Sequence, residues 1–353
     1  MRSWMLPALL TACLVITAAA VAAPASRLAF VSSEGGGMRI SIATTSGALA
    51  AVTAREVIAH SPGWSPDGRR LVYAAATLDG LWHIHVMNTD GSRSLRLTSG
   101  DGDHVFPAWS PDGRHVLYVR RHGADEQIYV MDPDGRLTRR LTAPPGRSTV
   151  PVWSPDGRWI AFVSTRGGGV PQLFVMREDG TEQRQLSRAD AYVGNAYGRG
   201  AKTVEPIGVL LRPGMLHPAW APDGTRIAFV TRVGRAEQQI LIVDRTGGEP
   251  RRLSTGYAPA WSPDGRRIAF VVARVGDSQI YVMKSDGTAL RRLTSGGANM
   301  LPVWSRDGRW LAFLGADERG LGLYVMRADG THRRRLGEAA GDLSMGPVIA
   351  WQP

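Results

Sequence analysis

The chain has 353 residues, 43% of them hydrophobic, and a formal net charge of +11. This length and composition are typical of a soluble protein that buries enough surface to fold without disulfides or a structural metal. Cys13 is the only cysteine, which excludes an intramolecular disulfide and a zinc site built from several thiolates. Arginine supplies almost all of the positive charge and is spread along the whole chain, which argues against nucleic acid as a partner.

Residues 1–25 have the pattern of a secretory signal peptide. Arg2 is followed by an uncharged apolar run, Met5–Val21, and the small residues Ala23-Pro24-Ala25 predict cleavage before Ser26. Two alternatives stay open: an uncleaved membrane anchor, and a lipobox at Leu10-Thr11-Ala12-Cys13. We expect export to the bacterial periplasm or beyond the cell, with no stable membrane span after signal cleavage, because exported proteins without disulfides suit that compartment.

A tryptophan followed by a Ser-Pro-Asp-Gly turn recurs through the rest of the chain. Four copies read W-S-P-D-G and two differ by one residue; the copies are Trp64–Gly68, Trp109–Gly113, Trp153–Gly157, Trp220–Gly224, Trp261–Gly265 and Trp304–Gly308. Ser, Pro and Gly at these positions favour a type I turn, so we interpret the aspartates as turn residues rather than as ligands or acids. A strand-rich repeat with a period in the forties predicts propeller blades.

Each repeat predicts a meander of four strands. In residues 259–294 these are the tryptophan strand, Arg267–Val271, Gln279–Met283 and Arg291–Thr294. The two middle strands are apolar on both faces, as expected of a sheet covered on both sides, and the arginine-rich fourth strand suits an exposed outer edge.

The second strand of the repeat occurs seven times, and the first copy, at Leu28–Phe30, has no tryptophan strand before it. The chain ends with a tryptophan strand, Gly346–Trp351, that has no repeat after it. The sequence therefore predicts an all-β fold, a seven-bladed β-propeller of four-stranded antiparallel blades, closed when the C-terminal strand completes the N-terminal blade. We expect residues 26–353 to form it, with blade 1 split between 27–60 and 347–351.

The pattern W-S-P-D-G-R-x-I-A-F, then Q-I-Y-V-M-x-x-D-G, then R-R-L-T resembles the WD40-like PD40 repeat of the TolB family, over nearly all of residues 27–351. The resemblance implies a propeller fold and a role in protein binding at the cell envelope. The same repeat is also found in peptidase propellers and carbohydrate-active enzymes. The chain departs from TolB, which has an α/β domain before a six-bladed propeller, whereas here seven repeats begin just after the predicted cleavage site.

Polar side chains stand just before the proline of several tryptophan strands, where we expect them to approach the mouth of the central channel. They are His60, His104, His217, Tyr257 and Asn299. The three histidines are also weak candidates for a divalent metal site with Asp101 or Asp103, although their registers differ. The alternative is a polar channel mouth without metal, and we expect no cofactor.

The longest interval between tryptophans contains an insertion at about 188–215. It combines aromatic and basic residues with an apolar run, which is typical either of a binding surface or lid, or of a hairpin packed on blade 4. The candidate binding residues in it are Tyr192, Tyr197, Arg199, Lys202 and Arg212.

No lipase elbow, P-loop, His-Glu-x-x-His or dinucleotide motif occurs in the sequence. We therefore predict a monomeric, non-enzymatic scaffold that binds an envelope protein or a peptidoglycan-associated partner. The alternatives are a polysaccharide lyase or hydrolase with a metal at the channel mouth, and a stand-alone accessory or sensor propeller.

Overall fold

A computed structural model describes residues 26–33, 37–167, 169–187, 192–193, 218–233, 237–274, 277–340 and 348–353. All regular secondary structure in these ranges is β-strand, arranged in seven antiparallel sheets. In the same ranges, no helix has the length and apolar character needed to cross a membrane. The predicted seven-bladed propeller is confirmed.

Each blade is one sheet. The strands of a blade follow one another along the chain, except that blade 1 also contains the last strand, β29. Blade 1 contains β1 (Arg27–Ser32), β2 (Arg39–Thr44), β3 (Leu49–Ala51) and β29 (Ile349–Trp351). Blade 2 contains β4 (Ala59–Trp64), β5 (Arg70–Ala76), β6 (Trp82–Asn88) and β7 (Leu95–Arg96). Blade 3 contains β8 (Asp103–Trp109), β9 (Val116–His122), β10 (Asp125–Met131) and β11 (Arg139–Arg140). Blade 4 contains β12 (Ser148–Trp153), β13 (Trp159–Ser164), β14 (Gln172–Arg177) and β15 (Arg184–Gln185).

The remaining three blades follow the same plan. Blade 5 contains β16 (Tyr192–Val193), β17 (Ala219–Trp220), β18 (Arg226–Val233), β19 (Glu237–Asp244) and β20 (Arg251–Thr255). Blade 6 contains β21 (Tyr257–Trp261), β22 (Arg267–Arg274), β23 (Asp277–Lys284) and β24 (Arg291–Arg292). Blade 7 contains β25 (Asn299–Trp304), β26 (Trp310–Asp317), β27 (Gly320–Arg327) and β28 (Arg334–Glu338).

The ring closes by pairing of the two ends of the chain. Strand β29 lies antiparallel to β1, with Leu28 opposite Trp351 and Phe30 opposite Ile349. The backbone N–H of Val31 also donates to the carbonyl of Val348 at 3.0 Å. This confirms the predicted closure, which satisfies the inner edge of β1 and leaves no open blade face.

The Ser-Pro-Asp-Gly segments are structural turns. In the first copy, the Ser65 hydroxyl donates to Asp67 Oδ1 at 2.5 Å and the N–H of Arg69 donates to the same oxygen at 3.1 Å. Gly68 donates its N–H to the Ser65 carbonyl at 2.8 Å and has a φ of 66°, which glycine adopts without strain. The same bonds recur at the other copies that contain serine, so turn geometry accounts for these aspartates.

The tryptophans form a belt of hydrogen bonds around the inside of the ring. Of the seven tryptophans at the ends of the inner strands, all except Trp109 donate the indole N–H to the carbonyl of the residue that precedes the tryptophan of the previous blade, as Trp304 does to Ala260 at 3.0 Å. Trp64 donates to Ala350 and Trp351 donates to Val303, both at 2.9 Å, so the belt also crosses the closure. The repeated tryptophan therefore fixes each blade to its neighbour.

Arginines perform a similar function at the outer edge. The side chains of Arg139, Arg251 and Arg291 each donate to a backbone carbonyl in the Asp-Gly turn of the next blade. Much of the arginine content thus has a structural use, in addition to placing charge on the exposed edge strands.

Candidate functional site

The innermost strand of each blade forms the wall of the central channel, and in five of the described blades it contains a bulge directly before a proline. The residue before the proline has a φ of 51–56°. These residues are Ser61, Phe106, Val150, Ala258 and Leu301. Proline lacks an N–H, and the positive φ of its neighbour breaks the ladder at this point, so each inner strand shifts register once.

An apolar cavity of about 500 Å³ lies against these inner strands. Its wall reaches from Pro218 in blade 5 and the proline bulges of blades 6 and 7 to Pro111 and Pro155 in the Ser-Pro-Asp-Gly turns. The lining side chains include Val152, Trp153, Ala219, Trp220, Ala258, Pro259, Ala260, Leu301, Pro302, Val303, Val348 and Ile349, and none of the lining residues is charged. The cavity therefore suits an apolar group, with the backbone supplying the nearby polar atoms.

The insertion of blade 5 begins and ends in the wall of the channel. Both β16 and β17 pair with the same strand, β18: Val193 lies opposite Thr231, and Ala219 lies opposite Ala228. The described inner strand of blade 5 therefore consists of two pieces, β16 and β17, which pair with β18 on either side of the position where the other blades have a proline bulge. Pro218, at the returning end, lines the apolar cavity.

The candidate residues before the prolines occupy two registers. His60 and Tyr257 directly precede the residue with positive φ, whereas His104 and Asn299 stand one position earlier. All four are at most 3% exposed, because the start of each inner strand is covered by its neighbouring blades. The structure thus places these side chains within the packed wall of the ring.

His104 contacts blade 2. Its ring stacks on His83 with 5.1 Å between the ring centroids and lies 5.6 Å from the ring of Tyr118. Burial is the main cause that lowers the pKa of His104 to about 4, and the positive charges of His83 and Arg120 act in the same direction. His104 is therefore neutral at physiological pH.

Asn299 holds a hydrogen-bond network between blades 6 and 7. Its amide donates to Gln279 Oε1 at 3.1 Å and to the carbonyl of Gly296 at 2.9 Å, and its Oδ1 accepts from Arg333 at 3.0 Å. Tyr257 is enclosed in the apolar core, where burial raises the pKa of its hydroxyl. These contacts position the inner strands.

The metal candidates do not meet in the described part of the chain, where no group of three His, Cys, Asp or Glu side chains has the arrangement of a metal site. Asp101 pairs with Arg120 and lies 3.3 Å from His122 Nε2, and Asp103 accepts the N–H of Trp82 at 3.1 Å. His217 lies outside the described residues, so a metal site that includes it stays a prediction.

The same holds for most of the insertion. Tyr197, Arg199, Lys202 and Arg212 lie outside the described residues. Tyr192 is described by its backbone pairing with Arg232 alone. Their proposed part in binding therefore stays a prediction.

Sequence reasoning missed the residues that line the cavity, among them Leu301, Val303 and Val348. A signal was present, because most tryptophan strands carry a proline two residues before the tryptophan, preceded in several blades by an apolar residue. The proline marks the bulge, and the small or β-branched residue directly before each tryptophan marks the channel wall.

Comparisons with known proteins agree with this architecture. TolB from Acinetobacter baumannii is 21% identical, with a TM-score of 0.56 over 79% of this chain and 66% of that one. An oligogalacturonate lyase in complex with manganese is 18% identical, with a TM-score of 0.64 over 90% of this chain and 85% of that one. A puromycin-hydrolyzing peptidase from Mycobacterium tuberculosis is 16% identical, with a TM-score of 0.67 over 90% of this chain and 54% of that one.

At these identities the likeness shows a shared fold, and this chain spans just under two thirds of the TolB chain and about half of the peptidase chain. The family model described as the TolB beta propeller domain matches residues 9–132, 105–204 and 211–350. These matches include all seven blades, and the chain belongs to the PD40 family of TolB β-propeller domains.

Proposed function

We propose that this protein is an exported, non-catalytic scaffold of the bacterial cell envelope, whose channel mouth binds an apolar segment of an envelope protein or a peptidoglycan-associated partner. One observation carries the proposal: an apolar cavity of about 500 Å³ lies against the inner strands of the ring, next to the returning piece of the inner strand of blade 5 at Pro218 and Ala219–Trp220. A concave apolar surface on a rigid scaffold is the arrangement that binding proteins use.

The chemistry of the cavity supports a peptide as the ligand. The bulges place the backbone of the inner strands beside proline, leucine and valine side chains, so an extended apolar segment finds both apolar contacts and hydrogen-bonding groups. The signal-peptide pattern of residues 1–25 supports export.

The proposal is tested by filling the cavity. Ala260 lines it, so Ala260→Leu should occupy the space that a ligand needs. Ala108 has the same position before its tryptophan in blade 3 and is not among the lining residues, which makes Ala108→Leu the matched control. A third variant replaces residues 194–212 with a short Gly-Ser linker.

Each protein is tagged, expressed in its native envelope and purified, and the co-purifying proteins are quantified by mass spectrometry. We expect a partner that is lost with Ala260→Leu and with the linker variant and is retained with Ala108→Leu. Identical sets of co-purifying proteins from all four proteins would contradict the proposal. A bound divalent metal together with cleavage of a polysaccharide would replace it with the enzymatic alternative.

A further inference from the structure

A second turn of the Ser-Pro-Asp-Gly type lies at the opposite end of β5, in the loop Thr77-Leu78-Asp79-Gly80. The Thr77 hydroxyl and the N–H of Leu81 both donate to Asp79 Oδ1, the latter at 3.0 Å. Gly80 has a φ of 80° and donates its N–H to the Thr77 carbonyl at 2.9 Å. Leu78 thus takes the place that proline has in Ser65-Pro66-Asp67-Gly68, although the turn has no need of a hydrophobic residue there.

This loop presents an apolar surface to solvent. Leu78 is fully exposed and Ile58, on the neighbouring segment, is 45% exposed. The two segments are joined by a hydrogen bond of 2.9 Å from the N–H of Ala76 to the carbonyl of Ile58. Together with Glu56, Asp79 and Arg96 these residues border a cavity of about 580 Å³, and we call Glu56, Ile58, Ala76, Leu78 and Asp79 the blade 2 patch.

Exposed large hydrophobic side chains are concentrated on this blade. Among the described residues there are five of them, namely Ile58, Leu78, Leu95, Leu137 and Leu290. Leu78 and Leu95 belong to blade 2, and Ile58 directly precedes its first strand. A leucine held by a hydrogen-bonded turn loses little conformational entropy when a partner covers it, which is the property of a binding anchor.

The charge of the blade 2 patch indicates the kind of partner. Glu56 and Asp79 have no arginine, lysine or histidine within ion-pairing distance in the described structure, although basic residues exceed acidic ones by eleven in the whole chain. The hydrogen bonds from Thr77 and Leu81 lower the pKa of Asp79, which keeps this carboxylate ionised. Arg96, which also borders the cavity, donates its Nε–H to the carbonyl of Thr98 at 2.7 Å. The two carboxylates outnumber this one basic group, and a surplus of negative charge beside two aliphatic side chains is complementary to a cationic, apolar segment.

The same charges oppose other occupants. An anionic lipid surface is repelled by both carboxylates. A second copy placed about a two-fold axis would bring together two surfaces that each have two carboxylates and one arginine, and so a net negative charge. We propose that the blade 2 patch is a docking site for a partner segment in which an aliphatic side chain stands next to lysine or arginine, independent of the central channel.

The probe is a phage-displayed library of random linear peptides, selected on the wild-type protein and depleted on Leu78→Asp. Enriched sequences are synthesised, and their affinities are measured by isothermal titration calorimetry. We expect peptides with an aliphatic residue beside lysine or arginine, and a loss of affinity of roughly tenfold or more with Leu78→Asp and with Glu56→Arg.

Two matched variants serve as controls. Leu137→Asp changes another highly exposed leucine on a turn of blade 3, and Glu318→Arg changes an exposed glutamate in the corresponding loop of blade 7. Both should retain the wild-type affinity. Leu78 and Glu56 are exposed, so their variants should melt at the wild-type temperature, which circular dichroism checks.

Three results would overturn the proposal. The first is that no peptide distinguishes the wild type from Leu78→Asp. The second is an enriched sequence that is acidic or lacks a basic residue. The third is that the selected peptides lose affinity for the Ala260→Leu variant but not for the Leu78→Asp variant, because they would then bind in the channel.

Discussion

The interface between blades 2 and 3 and the interface between blades 6 and 7 are built on the same plan but differ in their polar residues. In both, an arginine of the earlier blade covers the tryptophan of the later one: Arg70 lies 4.7 Å from the ring centroid of Trp109, and Arg267 lies 4.7 Å from that of Trp304. Gln279 and Asn299 join blades 6 and 7 by a hydrogen bond of 3.1 Å. In blades 2 and 3 the corresponding residues are His83 and His104, whose rings stack.

The difference shows what an amide does in a buried interface. Asn299 and Gln279 have donors and acceptors enough to satisfy each other and the adjacent backbone. In the described structure His83 Nε2, His104 Nδ1 and Trp109 Nε1 are buried without a hydrogen-bond partner. Because each unpaired buried polar atom costs free energy, we infer that blades 2 and 3 form the weaker interface and that it depends on neutral histidines.

Lowering the pH should have the largest effect on the difference in stability between the two interfaces. His104 has a pKa of about 4 in the folded protein against 6.5 in an unfolded chain, so the unfolded state takes up the proton first as the pH falls. Stability is therefore full above pH 6.5 and decreases between pH 6.5 and 4, by about 3 kcal/mol for this residue. Urea unfolding at several pH values from 7 to 4 measures the loss.

The double variant His83→Gln, His104→Asn gives the interface the amide pair of blades 6 and 7 and should reduce the acid-dependent loss. The aspartates with lowered pKa and His85 also lose stabilisation as the pH falls towards 4, but they are unchanged in the variant, so the difference between the two proteins reports His83 and His104. Equal pH dependence of the variant and the wild type would refute the role given to the histidines.

The reverse exchange should weaken blades 6 and 7. Gln279→His with Asn299→His removes the amide acceptors of Arg333 and Thr294. We expect a loss of about 2 kcal/mol of unfolding free energy at pH 7, with new acid sensitivity below pH 6.5. A change below about 0.5 kcal/mol would mean that the two residue pairs are equivalent.

The tryptophans offer a finer test. Trp304 Nε1 donates to Ala260, whereas Trp109 Nε1 has no acceptor in the described structure. Phenylalanine removes the indole N–H at either site together with part of the ring. Trp304→Phe should therefore cost about 1 kcal/mol more than Trp109→Phe, as measured by thermal unfolding. Equal costs would show that the indole bonds add nothing to the ring.

The smallest effect is expected at two equivalent turn positions, where the blades should not differ. Arg93 in blade 2 and Ala289 in blade 6 both have a φ of 54° and are exposed. Arg93→Gly and Ala289→Gly should each stabilise the protein by about 0.5 kcal/mol, because glycine adopts this conformation without steric cost. If chemical denaturation shows a clear difference between the two variants, the turns also contribute to the difference in stability between the blades.

The repeat made most of the fold predictable from sequence. The turn residues, the apolar middle strands and the unmatched tryptophan strand at Gly346–Trp351 sufficed for the blade count and the closure. The candidate site was less predictable, because rules for the residue before proline favour an extended conformation, whereas Ala258 and Leu301 have positive φ. Both strands have this bulge, but Tyr257 stands one residue before it and Asn299 stands two residues before it, which places the two side chains in different registers.

The position of the insertion was also hard to derive. Its composition marked it as a departure from the repeat, but composition does not tell whether a segment extends a loop or interrupts a strand. The pairing of Val193 and Ala219 with one strand, β18, answers this by long-range hydrogen bonds that local sequence does not encode.

The pairing of Ile349–Trp351 with Leu28–Phe30 has a consequence for biosynthesis. Blade 1 has no inner strand until the ribosome has made the strands of the six other blades, so β1 is among the last strands to reach its final state. A product released early exposes the inner edge of β1, an unpaired strand that proteases and chaperones recognise. We therefore expect a chain that ends before Ile349–Trp351 to be degraded faster than the chain with this strand.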